Sequence, residues 1–221
     1  MEHEDIPAGE IESLPVFPMP TTVLFPGIVL PLHIDDPPYS DMVSDAMADN
    51  QTLAVVMIKP GTEGDDIPQV CDVGGIGQII HCEKLIGGRY NVLIQGIGRV
   101  QLLEELPRQQ AYRRFKARVF PQPTDQDAAA VQNELLRLES AVISLVASVA
   151  ETDAQLVEVV HSTNDPIHLA DILSATVVRD AEVQQELLAT HDLKARLARL
   201  IDVVTDVLVN VGEIPPEAQA N

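Results

Sequence analysis

The chain has 221 residues, of which 46% are hydrophobic and 3% aromatic, so its core is aliphatic and fits one large domain or two small ones. Its net charge of −20 opposes binding to nucleic-acid phosphates and to an anionic membrane surface, since both need basic residues. We therefore expect neither nucleic acid nor membrane as a partner.

The acidic charge is spread unevenly along the chain. Residues 1–12 hold five acidic and no basic residues, residues 13–120 hold twelve and nine, and residues 121–221 hold seventeen and five. The net charges of the three segments are therefore −5, −3 and −12. The break near residue 120 indicates two parts, and residues 1–12 are interpreted as a flexible acidic lead.

Apolar runs and cysteines indicate the compartment. The acidic N-terminus has no apolar segment of the signal-peptide kind, and the longest aliphatic run, residues 141–150, is shorter than a membrane span. Two cysteines, Cys71 and Cys82, are too few for a disulfide framework. These features predict a cytoplasmic protein with reduced thiols.

Proline interrupts the apolar segment LPVFPMPTTVLFPGIVLPLHI, residues 14–34, five times. Because proline cannot donate a hydrogen bond to a strand ladder, the first two prolines are expected to bracket the short strand VF. Pro31 is expected at an edge or a bulge of the strand VLPLHI. Pro26 followed by Gly27 predicts a type II turn.

Two roles are open for these prolines. In the first, they end strands and prevent edge-to-edge association of sheets. In the second, they leave a sheet edge or an apolar loop available to contact a polypeptide. The residues of that loop are Met19, Val23, Leu24 and Phe25.

Short β-rich runs dominate the middle of the chain. Apolar residues at helical spacing predict a helix over 38–48, and the continuous apolar run 53–58 predicts a buried strand. A loop over 59–68 follows, and glycines then separate three strand-like runs in the pattern of an antiparallel meander. The next run, 112–120, alternates between apolar and basic residues, as a strand with one buried face does.

The basic residues of that run form a stripe on one strand face: Arg114, Lys116 and Arg118. The stripe is interpreted in two ways. It could receive an acidic or phosphorylated partner, or it is a solvated face that balances the chain's own acidic helices.

A helical half follows a linker at 121–125, because the apolar period changes there from two to 3.6 residues. A helix of more than five turns is predicted over 131–149, and a second over roughly 154–161. Three further helices are predicted to begin at the aspartate caps Asp165, Asp180 and Asp192.

The predicted fold class is therefore α+β, with strands and helices segregated along the chain. The β-rich subdomain covers 13–120 and the helical subdomain covers 126–212. Residues 213–221 are interpreted as a flexible tail.

No motif predicts catalysis or cofactor binding. The glycines of DVGGIGQII match neither the dinucleotide-binding nor the phosphate-loop spacing, and are interpreted as a bulge or sharp bend. His161 and His168 flank Asp165 without a metal-ligand spacing, and no serine or cysteine lies in a nucleophile motif. We predict no catalytic, cofactor or metal site and no enzyme activity.

Three blocks of the sequence occur in a recognisable order. The first is the proline-rich segment, with an LPV-x-P start and an aliphatic-Phe-Pro-Gly turn. The second has a VG-x-x-x-x-I strand followed by a G-x-x-R turn, here Gly96 to Arg99. The third is DPIHLADILSATV with the stretch through LLATHDLKARLARLIDVV. Together, over about residues 13–210, these blocks resemble the N-terminal domain of Lon-type ATP-dependent proteases.

The resemblance implies a β-rich pseudo-barrel followed by a helical bundle. In this family the domain contacts protein substrates, contributes to oligomerisation and does no chemistry itself. These residues include no Walker motif and no protease dyad, so the sequence is similar to the free-standing members of the family. The family offers no short substrate-contacting motif that can be transferred to residues of this sequence.

The sequence favours a non-catalytic protein- or peptide-binding module, linked to protein quality control or ATP-dependent proteolysis, that engages unfolded or tagged polypeptide. One alternative is a regulatory or structural partner of a protease or chaperone complex that binds no substrate directly. Another is a cryptic hydrolase that uses scattered carboxylates and histidines. The resemblance also implies a weak homo-oligomer.

Overall fold

The computed structural model describes residues 8–121, 123–148 and 165–212. The chain divides into two compact units, and each consists of two stretches of sequence. The first unit comprises Met1–Gln122 and Asp180–Ala189, and the second comprises Pro123–Arg179 and Thr190–Asn221.

Six strands and six helices make up the described residues. The strands are β1 Gly9–Met19, β2 Val29–Ile34, β3 Thr52–Met57, β4 Val73–Lys84, β5 Tyr90–Glu105 and β6 Arg113–Val119. The helices are α1 Pro37–Ala48, α2 Asp125–Ala130, α3 Gln132–Ser148, α4 Pro166–Thr176, α5 Ala181–Ala189 and α6 Leu193–Gly212. The predicted helix near 154–161 and the predicted tail 213–221 lie outside the described residues.

The strands of the first unit close into a barrel. Their order is β2-β5-β4-β3-β1-β6, and β6 also pairs with the second half of β5. The first half of β5 pairs instead with β2, which lies at the end of the sheet. The α+β class and the barrel are confirmed. The pairing of β1 with β3 is parallel, whereas the successive pairings from β3 to β6 are antiparallel, as in the predicted meander. The last two of the three predicted strand-like runs are one strand, β5, because Gly96 and Gly98 continue the pairing with β4 instead of ending it.

Strand β1 is longer than its prolines suggest. It begins at Gly9, so the last residues of the predicted flexible lead belong to a strand that pairs with β6. Pro15 lies where β1 pairs with β6, before the pairing with β3 begins at Val16. Pro18 lies beyond the pairing with β6, where β1 pairs with β3. Because each proline has a strand partner on one side, its missing N–H costs the ladder no bond on the other side.

The other two predictions from the proline-rich segment are confirmed. Gly27 has φ +79°, and the Ile28 amide donates to the Phe25 carbonyl at 3.2 Å, as a type II turn requires. Pro31 lies in β2, at the end of the sheet.

Glycines let the loop between β1 and β2 pass close to the barrel strands. A Cβ atom on Gly75 would overlap the Leu24 carbonyl oxygen, and one on Gly96 would overlap the Phe25 carbonyl oxygen. The Gly27 amide donates to the Gly96 carbonyl at 2.7 Å. The β4–β5 register also shifts between Ile76 and Gly77, which confirms the predicted bulge.

Two clusters of buried side chains lie on opposite faces of β1 and β3. One contains Phe17 and Val55 and extends to Met42 of α1. The other contains Val16 and Val56, with residues of β4, β5 and β6. The predicted buried strand at 53–58 is thus apolar throughout because both of its faces are covered.

Helix α5 packs with the strands of the first unit, although sequence prediction assigned 126–212 to one helical subdomain. The Gln185 amide donates to the Val73 carbonyl at 2.9 Å, and Arg99 Nε donates to the Leu188 carbonyl at 3.1 Å. Leu187 and Leu188 are both buried. These tertiary contacts stabilise α5, because an isolated helix of nine residues is only marginally stable in water.

In the second unit α3 packs against α6. Buried Leu138, Val142 and Leu145 confirm the predicted apolar face of α3. The unit also buries an ion pair, in which Arg196 Nη1 lies 3.6 Å from Asp171 Oδ1.

The aspartate caps of three helices are confirmed by their side-chain hydrogen bonds. Asp165 accepts from the amide of Ile167 at 2.9 Å. The caps of α5 and α6 accept from amides of their own first turns: Asp180 from Glu182 and Asp192 from Ala195.

Candidate functional site

The side chains of the basic stripe on β6 have partners on the neighbouring strand β1, and two of the three partners are carboxylates. Arg118 Nη2 lies 2.7 Å from Glu10 Oε1, and Lys116 Nζ lies 3.6 Å from Glu12 Oε2. Arg114 Nη1 donates to Ser13 Oγ at 3.1 Å. The balancing carboxylates therefore belong to β1 rather than to acidic helices. The stripe is a solvated row of cross-strand pairs, each of which is worth at most about 1 kcal/mol.

The predicted apolar contact loop is mostly interior. Leu24 and Phe25 are 1% and 0% exposed, so they are core residues and not a contact surface. Met19 and Val23 are half-buried, and Met19 packs against the cluster that contains Leu24. The structure therefore assigns this loop to the packing of the barrel.

A different surface exposes apolar side chains on the first unit. It is the outward side of β2, of the first half of β5 and of the second half of β4, and we call it the β2–β5–β4 face. Side chains on β5 alternate there, with Val92 and Ile94 buried and Asn91 and Leu93 facing outward. The residues of the face are Val29, Pro31, His33, Gln78, Ile80, His81, Glu83, Asn91, Leu93 and Gln95.

A polar row crosses the three strands of the face. His33 Nδ1 lies 2.8 Å from Asn91 Oδ1, and Asn91 Nδ2 donates to Glu83 Oε2 at 3.0 Å. Because an amide oxygen only accepts, His33 carries a proton on Nδ1 in this arrangement. The row holds the carboxylate of Glu83 in a defined direction and fixes the three side chains against one another.

An apolar row lies beside the polar one. Pro31 pairs across the sheet with Leu93, which in turn pairs with His81. A register shift between Ile79 and His81 makes Ile80 an extra residue on β4, and its side chain is 46% exposed.

A pocket of about 400 Å³ opens on this face. Its lining includes Pro31 and Leu93 of the apolar row, together with His33 and His81. The pocket and the two rows offer apolar contact area with a few oriented polar groups. This combination suits a peptide side chain better than an ion.

The backbone edge of β2 is less suited to a partner strand than the face is. The Gly96 amide donates to the Ile28 carbonyl at 2.8 Å, so even-numbered residues of β2 bond to β5 and odd-numbered residues point to the outer edge. Pro31 is one of these odd residues and has no N–H to offer. A partner polypeptide is therefore better placed across the side chains of the face.

Histidine, cysteine and carboxylate side chains are the candidates for a metal site or a nucleophile. Within 8–121, 123–148 and 165–212, no cluster of three or more His, Cys, Asp or Glu is placed to hold a metal ion. Cys71 and Cys82 are free thiols, and burial raises the pKa of each, which disfavours the reactive thiolate. His161 lies outside the described part of the chain.

The β2–β5–β4 face was not predictable from the sequence. The alternation of RYNVLIQG does show one polar and one apolar side of a strand. The register that brings β2, β5 and β4 together could not be inferred, because each strand alternates independently of its neighbours.

No helix in the described part of the chain is long and apolar enough to cross a membrane.

Comparison with known proteins gives a family match over most of the chain. Residues 13–206 match the family model of the ATP-dependent protease La (LON) substrate-binding domain. The chain is 29% identical over 204 residues to a Lon protease of Anaeromyxobacter dehalogenans, and 30% identical over 207 residues to Lon protease 2 of Myxococcus xanthus. Each alignment covers 91% of this chain, which spans only 23% and 24% of the two relatives.

Two solved structures share the fold. The N-terminal domain of a Mycobacterium avium complex Lon protease superposes with a TM-score of 0.65 at 24% identity, covering 88% of this chain and 99% of that structure. A Lon N-terminal domain protein from Xanthomonas campestris gives 0.64 at 19% identity, covering 87% and 98%. At these identities the likeness concerns the fold.

Proposed function

The chain belongs to the Lon substrate-binding domain family, and from that premise we propose that it is a non-catalytic module that binds unfolded or tagged polypeptide for ATP-dependent proteolysis. The β2–β5–β4 face is the proposed binding surface. The chain spans only about a quarter of the length of its Lon protease relatives. A role in protein quality control and self-association of the chain therefore also belong to the proposal.

The observation that carries the proposal is the group of apolar side chains on the outward side of this face. Val29 and Ile80 are 43% and 46% exposed, and they lie on the same side of the sheet as Pro31 and Leu93. The face holds one carboxylate, Glu83, in a chain with a net charge of −20. Its low charge reduces the desolvation cost of covering it with an apolar segment.

The test uses the full chain and a permanently unfolded probe, reduced and carboxymethylated α-lactalbumin. Binding is measured by fluorescence anisotropy with labelled probe. We expect Ile80→Asp to weaken binding about tenfold, because it places a charge where the bound probe would cover an apolar side chain. Circular dichroism establishes that the variant is folded.

Leu103→Asp is the matched control. Leu103 is also the extra residue at a register shift, on β5 between Leu102 and Glu104, and its side chain is 44% exposed. It lies outside the β2–β5–β4 face, so its substitution should leave the affinity unchanged. Absence of binding by the unaltered chain at high micromolar concentration would reject the proposal. Equal losses in both variants would reject the face.

A further inference from the structure

We propose that the β4–β5 hairpin makes this module selective for polypeptide segments that are acidic as well as apolar. Ile86 at the hairpin tip is the apolar anchor, and Lys84 and Arg89 supply the charges. The inference deepens the proposed function and rests on it, because the hairpin is the continuation of the β2–β5–β4 face.

Ile86 is the first observation. Its side chain is 92% exposed, well above every other large exposed hydrophobic residue of the described chain. Ile86 joins the two strands that carry Ile80 and Leu93, so it extends the exposed apolar side chains of the β2–β5–β4 face, and an extended apolar surface is the kind that contacts a partner.

The hairpin turn holds Ile86 in place. The Leu85 amide donates to the Arg89 carbonyl at 2.8 Å, and Gly87 and Gly88 have φ of +85° and +78°, which glycine adopts without strain. Arg89 Nε donates to the Ile86 carbonyl at 3.3 Å. Because the turn is closed by its own hydrogen bonds, little conformational entropy is lost when Ile86 enters a partner.

Charge is the second observation. Residues 73–103 contain one acidic residue, Glu83, and three basic residues, so this stretch carries +2 in a chain of −20. Glu83 accepts a hydrogen bond from Asn91, and Arg99 is buried. The accessible cations of the stretch are therefore Lys84 and Arg89.

The two cations flank the tip. The hydrogen bond of Arg89 to the Ile86 carbonyl keeps its guanidinium beside the anchor. Lys84 Nζ lies 5.6 Å from the centre of the ring of Tyr90, its cross-strand partner at the base of the turn. At physiological salt the Debye length is about 8 Å, so a segment bound at the hairpin interacts mainly with charges close to the tip. Asp35 and Asp36 follow β2 at this end of the sheet, where Ile34 pairs with Tyr90, whereas Lys84 and Arg89 belong to the hairpin that carries Ile86.

Two labelled peptides test the selectivity. They have the same length and the same leucine and phenylalanine positions, and they differ in carrying glutamate or lysine between them. Anisotropy is measured with the full chain at physiological salt. We expect the glutamate peptide to bind roughly three- to tenfold more tightly, the gain typical of two exposed charge pairs.

Variants locate the effect. The double substitution Lys84→Glu/Arg89→Glu should reverse the preference, whereas Arg108→Glu/Arg137→Glu changes the net charge equally at other exposed positions and should preserve it. Ile86→Ser should weaken binding of the glutamate peptide severalfold.

Ile67→Ser is the control for Ile86. Ile67 is 51% exposed, but its loop carries Glu63, Asp65 and Asp66, and the one basic residue of the loop, Lys59, is paired with Asp72 at 3.1 Å. Its substitution should leave both affinities unchanged.

The outcomes separate this inference from the proposed function. If neither peptide binds, polypeptide binding itself fails and the selectivity falls with it. If both peptides bind equally, or the lysine peptide binds more tightly, polypeptide binding stands and the acidic selectivity is overturned. Unchanged preference in the Lys84→Glu/Arg89→Glu variant would likewise overturn it.

Discussion

Glycine and phenylalanine meet where the loop between β1 and β2 crosses the barrel. The absence of a Cβ at Gly75 and Gly96 lets the carbonyls of Leu24 and Phe25 approach the strands. Phe25 is fully buried by that approach. The residues that most resemble a contact loop in sequence thus serve the core, because glycines far along the chain make room for them.

Phe25→Ala separates the two roles at this position. We expect the free energy of unfolding to fall by about 3–5 kcal/mol, the usual cost of emptying a buried phenylalanine site, while the affinity of the folded variant for unfolded polypeptide is unchanged. Urea denaturation and anisotropy measure the two quantities. Ile67→Ala is the exposed control. Unchanged stability together with lost binding would contradict this expectation and show that Phe25 contacts the polypeptide.

At the scale of elements, Arg113 connects β6 to its surroundings. Its guanidinium donates twice to Glu105 of β5, at 2.8 and 2.7 Å, and once to the Pro68 carbonyl in the loop before β4. The hydrogen bond from Arg113 lowers the pKa of Glu105 below its usual 4.5. The closure of β5 on β6 is therefore coupled to the ionisation of one carboxyl group.

Acid should loosen this connection. Because the pKa of Glu105 is depressed in the folded chain, its stabilising effect is present above pH 4.5 and is lost as the pH falls through the lower folded value. Unfolding free energies from urea denaturation at about pH 6 and pH 3.5 should decline more for the unaltered chain than for Glu105→Gln. An identical decline in both proteins would contradict the coupling.

For the whole molecule, the assignment of α5 to the barrel unit matters most. Arg99 and Leu188 are 89 residues apart in sequence, and their hydrogen bond anchors a helix whose neighbours in the chain belong to the second unit. The G-x-x-R motif lies within β5 and not at the expected turn, and both of its ends have a physical role. Gly96 accommodates the Phe25 carbonyl, and Arg99 holds α5.

Arg99→Met tests that anchor. The variant keeps an apolar stem but loses a buried, charged donor, an interaction typically worth about 1.5–3 kcal/mol. We expect amide hydrogens of α5 to exchange about tenfold faster or more, with the barrel strands less affected. The exposed Arg108→Met is the control. Equal acceleration in α5 and in the strands would show that Arg99 supports the barrel as a whole.

Local patterns in the sequence determined the α+β class, the buried strand β3, the Pro26-Gly27 turn and the aspartate caps, because each depends on residues within a few positions of one another. The tertiary structure alone decided the strand register, the burial of Leu24 and Phe25, the pairing of the basic stripe with β1 and the placement of α5. Those features depend on contacts between residues tens of positions apart, and the alternation within one strand carries no information about its partner.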